Sequence, residues 1–369
     1  MGKQFQQVTP SNANAFDGVF FSKSLVKWYE KNARSLPWRD LWRSHADPWH
    51  IWVSEIMLQQ TVIKAVLKVY PDFLREFPDH QTLARATPEK VKLAVRGLGY
   101  YRRFDALHRA CKLLVVEKRQ LPKTHDDWLN LPGIGEYTAA AIASITADEA
   151  YGVVDGNVER VLCRMLDIRS APNLPTLKRL FKKMMSDMCS QVSPGDFNQA
   201  VMELGQTVCT PTSPRCGLCP VAEKCLAFKR SSQNLAPAPK EQKKLTNVGL
   251  RLNIVHNKDK VLLMQRPDDA KFLAGTWGFL TEIKAGASWR QDGSAAVIPT
   301  RNDVKIGAFK HSITSHRIAA VVLQSHSLHF KKNIRTKLLG ADEVEKNLVS
   351  NLDRKAWTMM LRRAERQPD

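Results

Sequence analysis

Residues 129–145, LNLPGIGEYTAAAIASI, combine the end of a helix, a Leu-Pro-Gly-Ile-Gly turn and the start of an Ala-rich helix. This order predicts a helix–hairpin–helix. Gly133 and Gly135 would let the backbone approach a phosphate closely, and the helix start at Glu136 would point free N–H groups at it. Such contacts do not depend on base sequence, as a protein that scans DNA requires. An ordinary glycine-rich turn between two helices is the alternative.

The patterns on either side of this stretch divide the chain in two. Amphipathic helical patterns dominate up to residue 228. Residues 248–257, 260–266 and 317–330 have the β-branched runs and alternation of strands, and a helix is predicted near 341–351. Between the two parts lies KRSSQNLAPAPKEQKKLT, which is rich in Pro, Lys, Gln and Ser and predicts an exposed linker. The predicted organisation is a flexible N-terminus (1–18), a mainly helical domain (19–228), the linker (229–246) and an α+β domain (247–369).

The charge of the chain calls for a polyanionic partner. It has 56 Lys and Arg residues against 36 Asp and Glu residues, a net charge of +20. Residues 241–369 carry 23 of the basic and 13 of the acidic residues, so the excess is +10 in each part. No stretch approaches the about 20 apolar residues of a membrane span, and the N-terminus lacks an apolar signal core. We therefore expect an intracellular, monomeric protein, cytoplasmic or, in a bacterium, associated with the nucleoid.

Four cysteines near the end of the helical part predict a metal centre. Cys209, Cys216, Cys219 and Cys225 follow a C-x6-C-x2-C-x5-C spacing. In a reducing compartment, so short a loop indicates metal ligands rather than two disulfides. One C-x2-C pair flanked by single cysteines favours a [4Fe–4S] cluster, and zinc held by four thiolates is the alternative. The remaining cysteines are interpreted as packed free thiols: Cys111, Cys163 and Cys189.

Glu55 occupies an unusual position for a surface charge. The stretch HIWVSEIMLQQTVIKAVLKVY (50–70) is predicted to form one helix. On it Glu55 shares the apolar stripe with Leu58, Val62 and Val66, opposite the lysines that mark the solvent face. Desolvation there would raise the pKa of the carboxyl and suit it to act as a general acid. The alternative is a glutamate at the edge of the core, paired with an arginine.

Asp155 is a second candidate carboxylate. It ends an apolar stretch, and Asp-Gly-Asn leads into a helix, so a capping or turn role is the alternative. If folding brings it beside Glu55, the chain has two carboxylates in unlike environments. Such a pair suits cleavage of an N-glycosidic bond: the acid protonates the leaving group and the anion stabilises an oxocarbenium-like centre.

Several motifs together resemble one family. They occur in the order LPWR (36–39), WVSEIMLQQT (52–61), GLGYYRR (97–103), LPGIGEYTAAA (131–141), VVDGNVERVL (153–162) and the four-cysteine loop. This order is similar to that of the helix–hairpin–helix DNA glycosylase superfamily, and specifically of the adenine DNA glycosylases of the MutY type. The resemblance implies base-excision repair of adenine mispaired with 8-oxoguanine or guanine in duplex DNA, and a [4Fe–4S] cofactor. The alternatives are an endonuclease III-like glycosylase and lyase for oxidised pyrimidines, and a non-enzymatic, metal-containing DNA-binding protein.

The resemblance also implies residue roles. Glu55 would protonate adenine N7, and Asp155 would stabilise the oxocarbenium ion. Bifunctional relatives hold a lysine nucleophile where this chain has Tyr137, so the chain resembles a monofunctional glycosylase in which Tyr137 helps to stabilise the sugar cation. The residues that would fill the gap left by the flipped adenine and grip the opposite base are Leu58, Gln60, Thr61 and Tyr100, and those that would line the adenine pocket are Trp38 and Glu203.

The C-terminal part resembles the Nudix-like recognition domain of the same family. Residues 280–295, LTEIKAGASWRQDGSA, lack the carboxylate cluster with which Nudix hydrolases hold magnesium, so nucleotide hydrolysis is not expected. In the family a Phe-Ser-His loop contacts 8-oxoguanine, and the matching stretch here is HSITSHRI (311–318). An ungapped match places Ile313, Thr314 and Ser315 at these positions, whereas a shift of one residue places Thr314, Ser315 and His316 there, so both registers retain a hydroxyl. The predicted 8-oxoguanine contacts are Thr314 and Ser315.

Overall fold

The computed structural model describes residues 16–170, 174–238, 245–257, 259–268, 270, 273–285, 303–325 and 335–365. Most of the N-terminus predicted to be flexible lies outside these ranges. The chain falls into two compact units, of which the first comprises residues 1–84 and 109–241 and the second residues 85–108 and 242–369. Within the described part, no helix is both long and apolar enough to cross a bilayer.

The first unit is helical, as predicted. Residues 85–108, which belong to the second unit, also contain helices. In chain order the described helices before the first strand are α1 (Gly18–Asn32), α2 (Pro37–His45), α3 (Pro48–Leu58), α4 (Ile63–Val66), α5 (Tyr70–Glu76), α6 (His80–Arg85), α7 (Pro88–Ala94), α8 (Arg102–Val116), α9 (His125–Leu129), α10 (Glu136–Ala147), α11 (Gly156–Met165), α12 (Pro175–Cys189), α13 (Pro194–Thr207) and α14 (Leu226–Lys229).

The predicted single helix over residues 50–70 is wrong. Helix α3 starts at Pro48 behind the side-chain cap of Asp47 and ends at Leu58. Gln60 then takes a left-handed conformation with φ of +55°, which an α-helix does not accept. Val62 is 71% exposed, so the apolar stripe does not extend to it. The prediction followed side-chain periodicity, and nothing in Gln-Gln-Thr signals a break because Gln is a good helix former.

The helix–hairpin–helix is confirmed by α9, the turn at residues 131–135 and α10. Gly133 has a φ of +82°, a conformation that glycine adopts without strain. Four alanines of α10 are buried and present little side-chain volume: Ala139, Ala140, Ala141 and Ala143. Gly195, at the start of α13, lies so close that a Cβ atom there would be 2.8 Å from the carbonyl oxygen of Ser144. The small residues of both helices therefore permit a close approach in the core of the first unit.

Among the described residues, the second unit contains a mixed seven-stranded sheet, which confirms the predicted α+β C-terminal fold. The path runs β3-β2-β1-β6-β5, with β4 paired to β1 and β7 paired to β2, and only the β1–β6 pair among these is parallel. The strands and the helices after them are β1 (Thr246–Asn257), β2 (Lys260–Gln265), β3 (Trp277–Gly278), β4 (Leu280–Ala285), β5 (Val304–Ile313), β6 (His316–Ser325), β7 (Thr336–Gly340), α15 (Ala341–Asn347) and α16 (Asn351–Ala364).

Helix α16, which the sequence did not predict, covers the apolar face of this sheet. Its buried residues Ala356 and Trp357 belong to the same core as Leu252 and Val322 of the strands. A fully buried ion pair joins α16 to the end of β2, since Arg266 Nη2 lies 2.7 Å from Asp353 Oδ2. Asp353 also accepts a hydrogen bond from the backbone N–H of Phe279. The first turn of α16 is thus fixed to two strand ends.

The predicted exposed linker (229–246) differs from the observed structure. Ser232 and Ala236 are each only 2% exposed. The Ser232 hydroxyl donates to Asp167 Oδ1 at 2.6 Å, and Arg164 Nε donates to the Ala236 carbonyl at 3.0 Å. Composition indicated an open segment, but its first part packs on the first unit. Residues 239–244 lie outside the described ranges, and β1 begins at Thr246.

Candidate active site

Both predicted carboxylates face one cleft in the first unit. The cleft has a volume of about 420 Å³ and is formed by residues of α2, α3, α10 and α13 and by the turn before α11. Of the predicted residues it brings together Trp38, Glu55, Leu58, Thr61, Tyr137 and Asp155. Lining residues that sequence reasoning missed include Arg34, Arg39, Asn157, Gln199 and Met202. Arg39 lies in the LPWR motif, but its neighbours in space come from distant parts of the chain.

Glu55 is a buried residue of α3. It is 7% exposed, and within the described part of the chain it makes no hydrogen bond or ion pair. Burial raises the pKa of Glu55 to about 7; the negative charge of Asp155 adds to the rise, and Arg39 opposes it. A salt-bridged structural glutamate would have a lowered pKa. The alternative of an arginine-paired carboxylate at the core edge is therefore not supported.

Asp155 is the N-cap of α11, so its capping role is real. Its Oδ1 atom accepts from the backbone N–H groups of Asn157 and Val158 at 2.9 and 2.8 Å, and Oδ2 accepts from Asn157 Nδ2 at 2.8 Å. Three donors and the start of a helix stabilise a negative charge at this point. The same carboxylate lines the cleft. The two carboxylates thus have unlike surroundings. Within the described part of the chain, Glu55 is buried and accepts no hydrogen bond, whereas Asp155 accepts three.

Tyr137 stands near both carboxylates on the first turn of α10. Burial raises its pKa well above the usual value, and the charges of Glu55 and Asp155 act in the same direction. The hydroxyl lies 3.1 Å from the sulfur of Met202. Tyr137 is therefore a neutral phenol in the cleft wall.

Glu203 does not itself line the cleft but lies behind it, 1% exposed. It pairs with Arg34, and its Oε2 atom lies 2.9 Å from Arg39 Nη2. Burial alone would raise the pKa of Glu203, but the hydrogen bonds and charges of the two arginines outweigh it and the pKa is lowered. Its position indicates that Glu203 orients the two arginines, which do line the cleft. Trp38 is also buried and packs edge-to-face on Tyr70, with ring centroids 5.4 Å apart.

The other predicted DNA contacts lie at turns. Gln60 is exposed beside the end of α3. Tyr100 belongs to the second unit, is 46% exposed and has a φ of +49°. Thr314 and Ser315 form the two-residue turn between β5 and β6, and Thr314 is left-handed, with φ of +51°. His316 is 6% exposed, so of the two registers the one that needs His316 at a base is disfavoured.

The N-terminus of α10 has no side-chain cap. Its N-cap, Gly135, makes no side-chain hydrogen bond, and a Cβ atom placed there would meet nothing within 4 Å. The carboxylate of Glu136 is paired with Lys182 at 2.6 Å. The ammonium group offsets the negative charge that Glu136 places next to this helix start.

The four clustered cysteines line one cavity, together with apolar residues such as Val161, Leu204 and Val208. No described group of three or more His, Cys, Asp or Glu side chains is arranged around a single ion position. Arg164 Nη1 lies 3.3 Å from Cys209 Sγ. Hydrogen bonds also connect this loop to the cleft: Arg160 donates to the Cys209 carbonyl and to Asn157 Oδ1, and Asn157 donates to Asp155. Cys111, Cys163 and Cys189 are buried free thiols, as predicted.

Comparisons with known proteins point to one family. Residues 53–187 match the family model described as "HhH-GPD superfamily base excision DNA repair protein". A curated relative named "Adenine DNA glycosylase" from Schizosaccharomyces pombe is 33% identical over 331 residues, which cover 74% of this chain and 72% of the relative. The protein of that name from Mus musculus is 42% identical over 220 residues, 58% of this chain but only 43% of the mouse protein. The match thus spans less than half the length of the mouse relative.

A solved structure shares the fold. The thermostable thymine-DNA glycosylase is 21% identical, with a TM-score of 0.51, and the match covers 61% of this chain and 100% of that protein. The family predicted from the motifs is confirmed by the relatives. The chain belongs to the adenine DNA glycosylases of the helix–hairpin–helix superfamily.

Proposed function

We propose that the protein removes adenine opposite 8-oxoguanine, or opposite guanine, from duplex DNA by hydrolysing the N-glycosidic bond without cutting the strand. The observation that carries the proposal is the pair Glu55 and Asp155, which face one cleft in unlike environments. This is the arrangement that separates acid and anion roles in glycosidic cleavage.

The two carboxylates divide the chemistry. With a pKa of about 7, Glu55 retains its proton on a large fraction of molecules near neutrality and can deliver it to adenine N7. Protonation makes adenine a better leaving group, and the C1′–N9 bond breaks with its electron pair moving to the base. Asp155, held by three donors, stabilises the positive charge that develops on the sugar. Water then adds at C1′ and yields an abasic site.

The absence of a lysine in the cleft supports hydrolysis without strand cleavage. No lysine is found among the described residues that line it, and Tyr137 takes the place of the nucleophile of bifunctional relatives. A phenol cannot form the Schiff base that leads to β-elimination. Tyr137 instead contributes a neutral, polarisable wall beside the sugar.

Binding requires the adenine to leave the base stack. Trp38, Arg34 and Arg39 line the cleft that would receive the base, and Glu203 orients the two arginines. Leu58, Gln60 and Thr61, with Tyr100, would occupy the gap in the stack. The backbone of Gly133 and Gly135 would hold a phosphate, and Thr314 and Ser315 would contact 8-oxoguanine. The enzyme is proposed to act as a monomer on duplex DNA.

A [4Fe–4S] cluster is proposed at Cys209, Cys216, Cys219 and Cys225. These thiols line one cavity, and the spacing of one C-x2-C pair flanked by single cysteines favours a polynuclear cluster over a zinc ion. When bound, the cluster would join the four positions of the loop through Fe–S bonds. Arg164 would donate a hydrogen bond to the ligand sulfur of Cys209. Iron and sulfide analysis of the purified protein distinguishes the cluster from zinc.

The test is single-turnover cleavage of duplexes containing A:8-oxoguanine or A:G, each with and without alkali treatment. We expect strand breaks only after alkali, and a loss of about 100-fold or more in rate for Glu55→Gln, since general acid catalysis contributes that much. The variant should still bind the duplex. Breaks without alkali would contradict the monofunctional reading. If neither duplex yields an abasic product, the proposed substrate is wrong, and a thymine glycol duplex tests the endonuclease III-like alternative.

A further inference from the structure

The turn that carries Tyr100 has an uncommon backbone. Gly97, Gly99 and Tyr100 have φ values of +92°, +70° and +49°. Glycine accepts such values, but an aromatic residue in the left-handed region costs of order 1–3 kcal/mol and persists only if its surroundings hold it there. The Tyr100 ring is nevertheless nearly half exposed, so its own packing is not the main restraint.

Tyr101 supplies the restraint from the next position. Its hydroxyl accepts a hydrogen bond from the backbone N–H of Gly97 at 3.1 Å and donates one to the carbonyl of Val349 at 3.2 Å. Burial raises the pKa of Tyr101, so the phenol keeps the proton that it donates. The Tyr101 hydroxyl thus joins the two ends of the turn and also links the turn to Val349 in the same unit.

The segment that receives this bond is rigid. Leu348 and Val349 are buried, and Ser350 caps α16 by accepting from the N–H groups of Leu352 and Asp353. Asp353 in turn forms the buried ion pair with Arg266. The carbonyl of Val349 is therefore a fixed point of the second unit.

A second tie lies five residues before the turn begins, at Lys92. Lys92 Nζ donates to the carbonyl of Ala274 at 2.8 Å and lies 3.5 Å from Asp105. Lys92 holds the segment that leads into the turn, but within the described part of the chain its ammonium group pairs with Ala274 and Asp105 and not with residues 97–101. Arg103 Nη2 also donates to the carbonyls of Leu98 and Gly99, at 3.3 and 3.5 Å, from the helix that follows the turn. The Tyr101 hydroxyl differs in that it joins the turn to the segment at Val349.

We infer that Tyr101 is a positioning residue: its hydroxyl fixes the 97–101 turn against the loop before α16 and so presents Tyr100 to the DNA. The inference rests on the proposed function, because Tyr100 needs a defined place only if it enters a base stack. It adds a role for the C-terminal sequence beyond base recognition, since Val349 lies there. Loss of the hydroxyl frees the turn without removing the ring that probes DNA.

The first measurement needs no catalysis. In Tyr101→Phe, amide hydrogen exchange of Gly97 in the free protein should accelerate about fivefold or more, because the N–H loses its partner and an ordinary hydrogen bond contributes about that much. The control is Tyr151→Phe, whose ring stacks on His125 in the first unit. The control should leave exchange at Gly97 unchanged, and both variants should melt within a few degrees of the parent chain. Unchanged exchange at Gly97 in Tyr101→Phe would overturn the inference.

The second measurement asks whether Tyr101 acts through Tyr100. Excision of adenine opposite 8-oxoguanine should fall about fivefold in kcat/KM for Tyr101→Phe, but the same change should have no further effect in a Tyr100→Ala background. Equal losses in both backgrounds would show a general structural role and contradict the inference. If the parent chain excises no adenine, the proposed function fails, whereas the exchange result at Gly97 still stands or falls by itself.

Discussion

In the proposed mechanism the Glu55 carboxyl acts as the acid because its burial favours the protonated form. Its pKa of about 7 arises mainly from burial, with a smaller contribution from the nearby Asp155 charge. This environment has a cost, since the ionised form is destabilised. The cost is tolerated at a position where a proton has to be delivered, which is typical of active sites.

The pH dependence of the reaction follows from this value. A folded-state pKa above the ordinary one means that the proton is present below about pH 7 and is lost as the pH rises through that value. The single-turnover rate should therefore fall above pH 7, approaching tenfold per unit, because only the protonated form can act. Duplex binding measured over the same range is the control. A rate that stays flat to pH 9 would exclude Glu55 as the acid.

Glu203 supports the cleft by charge. In Glu203→Gln, Arg39 would remain buried without its carboxylate partner, and we expect a loss of about 3 kcal/mol in the free energy of unfolding. Urea titration measures this loss. The control is Asp72→Asn, which removes an ion pair with Arg75 in which both side chains are more than 70% exposed. That change should cost less than about 1 kcal/mol. Equal effects of the two substitutions would contradict the supporting role of Glu203.

At the scale of elements, the part of the site that could be predicted is the part encoded locally. The Leu-Pro-Gly-Ile-Gly turn and the cap Asp155 are specified by residues within a few positions, and both were predicted correctly in structure. The end of α3 was not, because Gln60 is left-handed without a glycine or proline to announce it. The two arginines that line the cleft were also missed, since their partner Glu203, which lies behind it, is more than 160 positions away in the sequence. Periodicity carries no information on such distant pairs.

The close approach of α10 and α13 predicts a specific weakness. In Gly195→Ala the new Cβ atom would lie 2.8 Å from backbone atoms of residues 144 and 145, which cannot move as a side chain would. We expect a loss of about 1–3 kcal/mol, as for other overpacked cores. Gly217→Ala is the matched control, because a Cβ atom there meets nothing within 4 Å. The prediction is checked by comparing the melting temperatures of the two variants. Equal melting temperatures would show that the helices move apart without a loss of stability, which would contradict the prediction.

For the whole molecule, the relevant quantity is the net charge of +20. Lysine and arginine contacts to phosphates release counterions, so affinity for an undamaged duplex should fall steeply with salt, with a log–log slope of about −0.9 per phosphate contact. The ratio of affinities for A:8-oxoguanine and undamaged DNA should change far less, because the side chains proposed to contact 8-oxoguanine, Thr314 and Ser315, carry no charge. Titrations at several salt concentrations measure both quantities. A ratio that declines as steeply as the affinities would assign the discrimination to charge.

The packed start of the linker also determines where the chain can be divided. Asp167 is buried and takes hydrogen bonds from Arg230 and Ser232, while the Ala236 carbonyl holds Arg164, which also reaches Cys209. A truncated chain ending at residue 228 would expose these groups to solvent and loosen the cysteine loop, whereas one ending at 238 would keep them. The shorter fragment should be the more rapidly digested by trypsin and the poorer in bound iron. Residues 230–236 have the composition of a spacer, but their hydrogen bonds to Asp167 and Arg164 make them part of the packed first unit.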